Sequence, residues 1–333
     1  MMKSCSVRQS ANVWPWRPGI AFMMMLLMPH SSVAQDYPEK TIRYIVPAAP
    51  GGASDLLARL LAQKMSEAFG KQVIVDNRAG GGTIIGTALV AKAPADGYTL
   101  VQVSTNFVIN PAIVKALPYD SLRDFAPVVL LISAPLVLVV HPSVPATSVK
   151  ELIALSKARP GQLNFASSGQ GTASHLASVL MSLVAGVQLT HIPYKVSAPA
   201  LIDMVSGQTQ MMFISTPAVL QHLKSGRLRA LAMTSVRRTP TLAAVPTLSE
   251  AGLPGYEVTQ TFGTLATANT PAAVITKLNG QLNRALKSPD IADTLRAEGG
   301  DAVGGPPETY AEYIRREIPK WMKVITQAGI KLE

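Results

Sequence analysis

The stretch YPEKTIRYIVPAAPGGASDLLARLLAQKM, residues 37–65, decides the fold class of this chain. Its segment 41–46 is apolar and rich in β-branched residues, which predicts a strand, and the Pro/Gly-rich loop 47–52 follows directly. Ser54 and Asp55 are residue types that commonly begin helices, and an amphipathic helix follows them. A strand that turns through glycines into a helix leaves backbone N–H groups free at the turn, so the stretch predicts an anion site.

The residues before this stretch have the pattern of a secretory signal peptide. Three basic residues and no acidic one precede the apolar run 20–28, and the small residues Ser32 and Ala34 offer a site for a signal peptidase. We expect cleavage after Ala34, export of the mature chain to the periplasm and no insertion in the membrane. A membrane anchor is the alternative, but the run is about half of the ~20 apolar residues that span a bilayer.

Composition limits the remaining function classes. The single cysteine, Cys5, lies inside the signal peptide, so the mature chain has no thiol for a disulfide or a metal site. Hydrophobic residues make up 48% of the 333 residues, which is enough for a large core and favours two domains. The formal net charge is +10, but Lys and Arg are scattered without interleaved aromatic residues, so we expect a solvated basic surface and no nucleic-acid partner.

Strand, loop and helix patterns repeat along the mature chain in two series. Such alternation predicts parallel sheets covered by helices on both faces. A long apolar stretch, 125–142, and a long extended stretch, 256–268, can each cross between two lobes. We therefore predict an α/β, two-lobe fold with a ligand cleft between the lobes. Its predicted domains after the signal peptide (1–34) are 35–136 (lobe 1, first part), 137–257 (lobe 2) and 258–333 (return to lobe 1).

Four Gly- or hydroxyl-rich loops each follow a predicted strand and precede a predicted helix. They are residues 47–55, 77–86, 166–176 and 193–200. Ligands of open α/β sheets bind at the carboxyl ends of strands, where these loops lie. One such loop is weak support, because ordinary α/β turns use the same residues, but two in each predicted lobe are placed to grip an anion from both sides.

Nucleotide and catalytic patterns are absent from the sequence. There is no GxxxxGK[ST] loop, no GxGxxG after the first strand with a suitably spaced acid, and no GxSxG elbow. The mature histidines share no metal-binding spacing, and we interpret His175 and His191 as packing or hydrogen-bonding residues. A secreted α/β hydrolase is the rival class, but its nucleophile, base and acid are not visible. We expect no enzyme activity, no metal and no cofactor.

In their order along the chain, these loops resemble the Bug family, the periplasmic solute-binding proteins of tripartite tricarboxylate transporters. The motifs that carry the resemblance are YPEKTIRYIVPAAPGGASD (37–55), NRAGGGTIIG (77–86), ADGYTL (95–100), LPYDSLRDFAPV (117–128), LNFASSGQGTASHL (163–176), HIPYKVSAPAL (191–201), LRALAMTS (228–235), VPTLSEAGLPGYEV (245–258) and IPKWMKVITQAGIKLE (318–333). The resemblance covers essentially the whole mature chain. It implies a type II periplasmic-binding fold, a small organic carboxylate as ligand, and the membrane permease subunits of a tripartite carrier as partners. We expect a monomer.

Two positions depart from that family pattern. Val196 stands where relatives often have the glycine of PYKG, and Ile214 stands where many have the aspartate of MFD. Loss of an acid that could pair with an amine favours a carboxylate ligand without an amine. The alternative is that Ile214 merely packs.

The loops and the resemblance together define a set of candidate ligand-binding residues. These are Pro50, Gly51, Gly52, Ser54, Asp55, Gly81, Gly82, Thr83, Ser104, Ser168, Gly169, Gly171, Thr172, His175, Lys195, Val196, Ser197, Ala198, Ile214 and Ser215. The function that they predict is capture of a carboxylate for a transporter. An exported sensor that signals through a membrane receptor is the alternative that the sequence leaves open.

Overall fold

The computed structural model describes Met2 and residues 37–297 and 299–329. The predicted cleavage site after Ala34 lies outside the described residues. The chain divides into two units, Met1–Tyr37 and Pro38–Glu333, and the strands and helices of the described residues belong to the second. No helix in the described part of the chain is both long enough and apolar enough to cross a membrane.

Strands and helices alternate through most of the second unit. The strands of the described residues are β1 (Ile42–Val46), β2 (Val73–Asn77), β3 (Thr99–Ser104), β4 (Phe125–Val140), β5 (Asn164–Ser167), β6 (Thr190–Pro193), β7 (Met211–Ser215), β8 (Arg229–Met233), β9 (Thr259–Thr267) and β10 (Asp301–Ala302). The α-helices are α1 (Ala53–Phe69), α2 (Ile84–Ala91), α3 (Asn106–Ile113), α4 (Val149–Ala158), α5 (Ala173–Ala185), α6 (Ser197–Val205), α7 (Thr216–Lys224), α8 (Ala272–Ala285), α9 (Pro289–Ala297) and α10 (Pro307–Ala328).

The strands form a mixed sheet in the order β2-β1-β3-β9-β4-β7-β5-β6, with β8 and β10 paired to β4. Neighbours within each predicted series, such as β1 with β2 and β3, or β5 with β6 and β7, are parallel. The pairings of β4 and β9 are antiparallel. The α/β class is therefore confirmed, and the predicted parallel pairing holds within each series but not for β4 and β9. The chain returns along β9 from the second series, and so it runs against β3 and β4.

Strand β4 belongs to both parts of the sheet. Its first part, up to Pro135, pairs with β9, and its last part, from Leu136, pairs with β7 and β8. The β4 residues Val137–Val140 are fully buried. The second long stretch crosses beside it, because the Val258 N–H donates to the Thr234 carbonyl oxygen (3.1 Å) while Thr259 already pairs with Pro135. Both long stretches thus change partners at the same place in the sheet.

Helices α3 and α9 were not predicted from the sequence. Helix α3 contains Pro111, a residue that normally ends helices, and its sequence NFVINPAI has few strong helix formers. Helix α9 is nine residues long, and its two buried apolar residues, Ile291 and Leu295, are too few to show a helical repeat in the sequence. Omitting α3 matters most, because its first residues contribute to the site described next.

Candidate functional site

A cavity of about 170 Å³ lies at the carboxyl ends of β3, β5 and β7. Its lining residues are Ser104, Thr105, Asn106, Leu136, Ser168, Thr172, Ala173, Ser174, Ser197, Phe213, Ile214, Ser215 and Gln260. The sequence analysis named six of these, namely Ser104, Ser168, Thr172, Ser197, Ile214 and Ser215. The structure therefore brings together residues from distant parts of the chain at the predicted edge of the sheet.

The N-termini of helices α3, α5, α6 and α7 converge on this cavity. Each contributes a lining residue at or next to its first position, namely Asn106, Ala173, Ser197 and Ser215. The first N–H groups of a helix lack partners within that helix, and its dipole adds partial positive charge there. In the described structure none of these four helices has an acidic residue in its first turn. Helices α1, α4, α9 and α10 do have one, whereas α2 and α8, which do not line the cavity, also lack one. The positive ends of the four helices at the cavity are thus not compensated by an acid of their own first turns, which favours an anion there.

The cavity combines neutral polar groups with an apolar wall. No charged side chain of the described residues lines it. The hydroxyl and amide side chains can donate hydrogen bonds to an anion, and the backbone N–H groups add fixed positive dipoles. Leu136, Phe213 and Ile214 supply the apolar wall, and each is nearly or fully buried. This arrangement suits a small molecule with an anionic group and a short hydrocarbon body.

The turn before α5, residues 168–172, needs its glycines. Gly169 has a φ of +128° and Gly171 a φ of +76°, both in the region that favours glycine. A Cβ on Gly169 would lie 3.1 Å from the Tyr194 carbonyl oxygen. Thr172 closes the turn, because its Oγ1 donates to the Gly169 carbonyl oxygen (2.7 Å) and accepts from the His175 N–H. Ser168 and Thr172 are thereby held at the cavity wall.

The opposite wall includes three polar residues that the sequence analysis missed: Thr105, Asn106 and Gln260. Thr105 Oγ1 accepts a hydrogen bond from the Thr261 N–H (2.8 Å), and Thr261 Oγ1 lies 3.1 Å from the Tyr313 hydroxyl. These contacts tie the start of α3 to β9 and α10. The sequence did carry a signal, since Ser104, Thr105 and Asn106 are three helix-start residues directly after a strand.

The first predicted loop lies outside the cavity lining. Its candidates are Pro50, Gly51, Gly52, Ser54 and Asp55. The Asp55 carboxylate accepts hydrogen bonds from the Gly51 N–H (2.9 Å), Arg59 Nε (3.0 Å) and Asn77 Nδ2 (3.0 Å). Burial raises the pKa of Asp55, but these hydrogen bonds together outweigh it and leave that pKa lowered. A carboxylate of the protein itself therefore occupies the N-terminus of α1.

Ser54 and the second predicted loop also serve the fold in this structure. Ser54 Oγ accepts a hydrogen bond from Gln102 Nε2 (2.9 Å), and Gln102 is buried. Gly81, Gly82 and Thr83 form a short 3₁₀ turn outside the lining. The Gly82 carbonyl oxygen accepts from Asn110 Nδ2 (3.1 Å), which ties the turn to α3.

The fourth predicted loop contributes Ser197 alone to the lining. Lys195, Val196 and Ala198 are exposed and lie outside it, and the Val196 side chain is 57% exposed. Gly169, Gly171 and His175 are also outside the lining, but they shape the turn that supplies Ser168 and Thr172. Within the described residues, no three His, Cys, Asp or Glu side chains are grouped closely enough to hold a metal ion.

A family description and two curated relatives match most of this chain. The family model described as "Tripartite tricarboxylate transporter family receptor" (TctC) matches residues 57–330. The UPF0065 protein in the tcbD-tcbE intergenic region of Pseudomonas sp. strain P51 is 43% identical over 310 residues, which are 93% of this chain and 92% of that protein. Protein BugT of Bordetella pertussis is 38% identical over 302 residues, which are 90% of this chain and 93% of that protein.

Solved structures match the same fold. Rpa4515 of R. palustris with adipate has a TM-score of 0.74 and 37% identity, and the match covers 89% of this chain and 99% of that one. MatC (Rpa3494) from Rhodopseudomonas palustris with bound malate has a TM-score of 0.71 and 30% identity, and the match covers 87% of this chain and 100% of that one. In both of those structures the named small molecule is a dicarboxylate.

Proposed function

Since the chain belongs to the TctC family of tripartite tricarboxylate transporter receptors, we propose that it captures a small organic carboxylate for such a carrier. The resemblance of its sequence motifs to the Bug family is confirmed by the match to BugT. Members of this family are solute-binding receptors of the periplasm, not enzymes. For this chain we further propose that it is exported with cleavage after Ala34 and that it acts as a monomer without catalysis. We also propose that it delivers the ligand to permease subunits.

The single observation that carries the proposal is the convergence of four acid-free helix N-termini on one cavity. The cavity has no charged side chain among the described residues, so an anion bound there interacts with oriented N–H groups and hydroxyls instead of a counter-ion. Such dipoles are fixed by the fold and need no reorganisation when the anion arrives. A carboxylate, with two acceptor oxygens, fits several converging donors at once.

A short dicarboxylate is the ligand class that we favour. Polar groups lie on two sides of the cavity, with Asn106 and Gln260 on one side and Ser168, Thr172 and Ser197 on the other. The apolar wall between them suits a chain of a few methylene groups. The adipate of Rpa4515 and the malate of MatC have this chemistry.

A ligand screen tests the function. Purified mature protein is mixed at pH 7.5 with mono-, di- and tricarboxylates, aromatic acids and amino acids, and its melting temperature and binding heat are measured. We expect a dicarboxylate to bind most tightly and so to give the largest increase in melting temperature. A ligand at a hundred times its Kd stabilises the folded state by about 2.7 kcal/mol, which such a measurement detects. If no carboxylate binds at millimolar concentration, or if a carboxylate ester is hydrolysed, the proposal fails.

Ligand capture by this fold is proposed to include closure about the two crossings. Thr234 joins them, because its Oγ1 accepts from the Leu136 N–H (2.8 Å) and its carbonyl oxygen accepts from the Val258 N–H (3.1 Å). On either side of this junction, β4 pairs with different strands at Pro135 and at Leu136. Two adjacent crossings where strands change partners are the place at which a hinge motion between two lobes can occur.

Small-angle X-ray scattering measures this closure. We expect a smaller radius of gyration for the mature protein at saturation with the best ligand of the screen than without it, because the two predicted lobes, 35–136 with 258–333 and 137–257, approach each other. Identical scattering profiles at saturation, checked by calorimetry on the same sample, would contradict closure while leaving the binding proposal intact.

A further inference from the structure

Two histidines, the buried His175 and the half-buried His191, hold the turn that supplies Ser168 and Thr172 to the cavity. His175 lies in the first turn of α5 and is 4% exposed. Its Nδ1 accepts a hydrogen bond from the Gly171 N–H (3.1 Å). A ring nitrogen that accepts from an N–H has no proton of its own, so His175 is neutral and carries its proton on Nε2. The backbone of the turn is thereby fixed by the neutral form of one imidazole.

The second histidine acts on the same turn through a serine. His191 Nε2 lies 2.7 Å from Ser167 Oγ, and Ser167 is fully buried. Ser167 Oγ in turn accepts a hydrogen bond from the Gly169 N–H (3.2 Å). The N–H groups of both glycines in the turn are therefore tied, directly or through Ser167, to an imidazole ring.

The two rings also stack on each other. Their centroids are 4.2 Å apart and their planes differ by 24°, and His191 stacks in turn on Phe165 at 4.7 Å. The two rings line a groove together with Phe165 of β5, residues of α5, the segment 187–190 and the end of α10 (Gln327, Ala328). In the described structure the two histidines are the titratable groups of this groove, and no carboxylate or other cation lines it.

We propose that His175 and His191, as a neutral stacked pair, are positioning residues of the anion site: they hold the 169–172 turn in the shape that presents Ser168 and Thr172 to the ligand. The proposal rests on the proposed carboxylate-binding function. Neither imidazole touches the cavity, since neither is among its lining residues. Their effect on a ligand is exerted through the Gly169 and Gly171 N–H groups.

Protonation has different consequences for the two rings. A proton on Nδ1 of His175 faces the Gly171 N–H donor, so the hydrogen bond is lost and the turn is released. A proton on Nε2 of His191 can be accommodated, because the Ser167 hydroxyl can turn to donate to the Gly169 carbonyl oxygen at 3.3 Å. Two stacked cations at this distance also repel each other. His175 is therefore the ring whose charge state controls the turn.

The surroundings of the pair favour the neutral state. Burial, and in addition the neighbouring His191, lower the pKa of His175 to about 4. Burial also lowers the pKa of His191. A histidine with a depressed pKa stabilises the folded turn at pH values above the ordinary imidazole pKa of ~6.5, and this stabilisation is lost as the pH falls from there toward the lowered value. The turn is thus held at neutral pH and released in acid.

Substitutions at position 175 distinguish the hydrogen bond that the side chain accepts from the Gly171 N–H from the protonation of the imidazole. In His175→Asn the side-chain oxygen takes the place of Nδ1 as acceptor and does not titrate, whereas His175→Leu has no acceptor. The measurement is hydrogen–deuterium exchange of peptides covering residues 166–176 without ligand, from pH 4 to pH 7.5. Adipate affinity of the same variants is measured in parallel by calorimetry. Comparing each variant with the wild type at the same pH cancels the protonation of adipate and the intrinsic pH dependence of exchange.

We expect His175→Asn to keep wild-type protection of the turn at pH 7.5, and His175→Leu to exchange about tenfold faster there, because a buried N–H has lost its acceptor. For the wild type, the adipate Kd divided by that of His175→Asn is expected to rise as the pH falls toward 4, because protonation of His175 lowers the fraction of molecules with the turn in its binding shape. His191→Gln, which keeps a polar group near Ser167, is expected to change protection at pH 7.5 by less than about twofold.

Two results overturn the proposal. One is wild-type protection of the turn in His175→Leu at pH 7.5. The other is a parallel loss of protection in wild type and His175→Asn as the pH falls, which places the acid-sensitive group elsewhere. Protection that depends on residue 175 as expected, without adipate or any other carboxylate binding to the wild type, would instead support the positioning of the turn and refute the proposed function.

Discussion

Valine in place of Gly169 is expected to weaken carboxylate binding by at least about a hundredfold, a loss of about 2.7 kcal/mol. Gly169 has a φ of +128°, a conformation that a β-branched residue essentially does not adopt. Its Cβ would also lie 3.1 Å from the Tyr194 carbonyl oxygen. The turn must therefore change shape, and the Ser168 and Thr172 hydroxyls then leave their places in the cavity wall. Calorimetry with the best ligand of the screen measures the loss.

The matched control is valine at Gly51. Gly51 also has a positive φ, +86°, so the substitution strains the backbone in a comparable way. No atom lies within 4 Å of a Cβ built there, and Gly51 is outside the cavity lining. We expect affinity to change by less than about threefold, since the strain of ~1–3 kcal/mol falls on stability and not on the site. Circular dichroism of both variants must show that each is folded.

The sequence placed Gly51 and the 168–172 turn together among the candidate ligand-binding residues, which predicts that the carboxylate bridges the first loop and this turn. That prediction requires the first loop to reach the ligand after closure, because it does not line the cavity in this structure. Loss of binding in both valine variants would support bridging. Loss in Gly169→Val alone would place the ligand among the four helix N-termini described above.

Much of the fold was predictable because its signals are local. Strands β1, β5 and β7 are apolar runs that end in hydroxyl- or glycine-containing loops, and helix α5 has its apolar residues at helical spacing. The positions of β4 and β9 in the sheet were not predictable from such signals. An apolar run shows that a strand is buried, but the direction and neighbours of a strand depend on contacts that are distant in sequence.

The same contrast between local and distant signals explains which residues of the cavity lining were predicted. Ser168, Thr172, Ser197 and Ser215 lie at or after the ends of strands of one series, so the rule for carboxyl ends of strands predicts them. Leu136 and Gln260 reach the cavity only because both crossings pass beside it. The glycines of the first two loops, by contrast, were candidate ligand groups but lie outside the cavity lining in this structure. Asp55 illustrates the difficulty: it was recognisable as a helix-start residue, but its hydrogen bonds to the Gly51 N–H, Arg59 and Asn77 are visible only in the structure.

The second large effect on ligand affinity is expected when a charged group, on the ligand or on residue 214, is placed inside the cavity. Ile214 lines the cavity and is 3% exposed, whereas Val196 is exposed, so the argument for an amine-free ligand now rests on Ile214 alone. An ammonium group there would lose its hydration without a carboxylate partner and would face four positive helix ends. We expect wild-type protein to bind succinate at least about tenfold more tightly than aspartate, which has the same carboxylates and an added amine. Competition calorimetry at pH 7.5 measures the ratio.

Ile214→Asp tests the same wall directly, with Ile214→Asn as the neutral control of nearly equal size. A carboxylate about 5 Å from a ligand carboxylate repels it by about 3 kcal/mol at an effective dielectric constant of ~20, so succinate affinity should fall by about a hundredfold. The new carboxyl can also escape repulsion by taking up a proton, so its pKa is raised by the bound ligand and the loss should grow with increasing pH. Ile214→Asn should show a smaller loss that does not vary with pH.

The ligand preference should change in the same variant, because the aspartate ammonium gains a partner while succinate gains only repulsion. We expect the ratio of succinate to aspartate affinity to fall by at least about tenfold in Ile214→Asp and to change little in Ile214→Asn. If wild-type protein binds aspartate more tightly than succinate, another group must recognise the amine and the interpretation of Ile214 is wrong. If Ile214→Asp and Ile214→Asn behave alike at every pH, position 214 contributes packing and its charge is not sensed by the ligand.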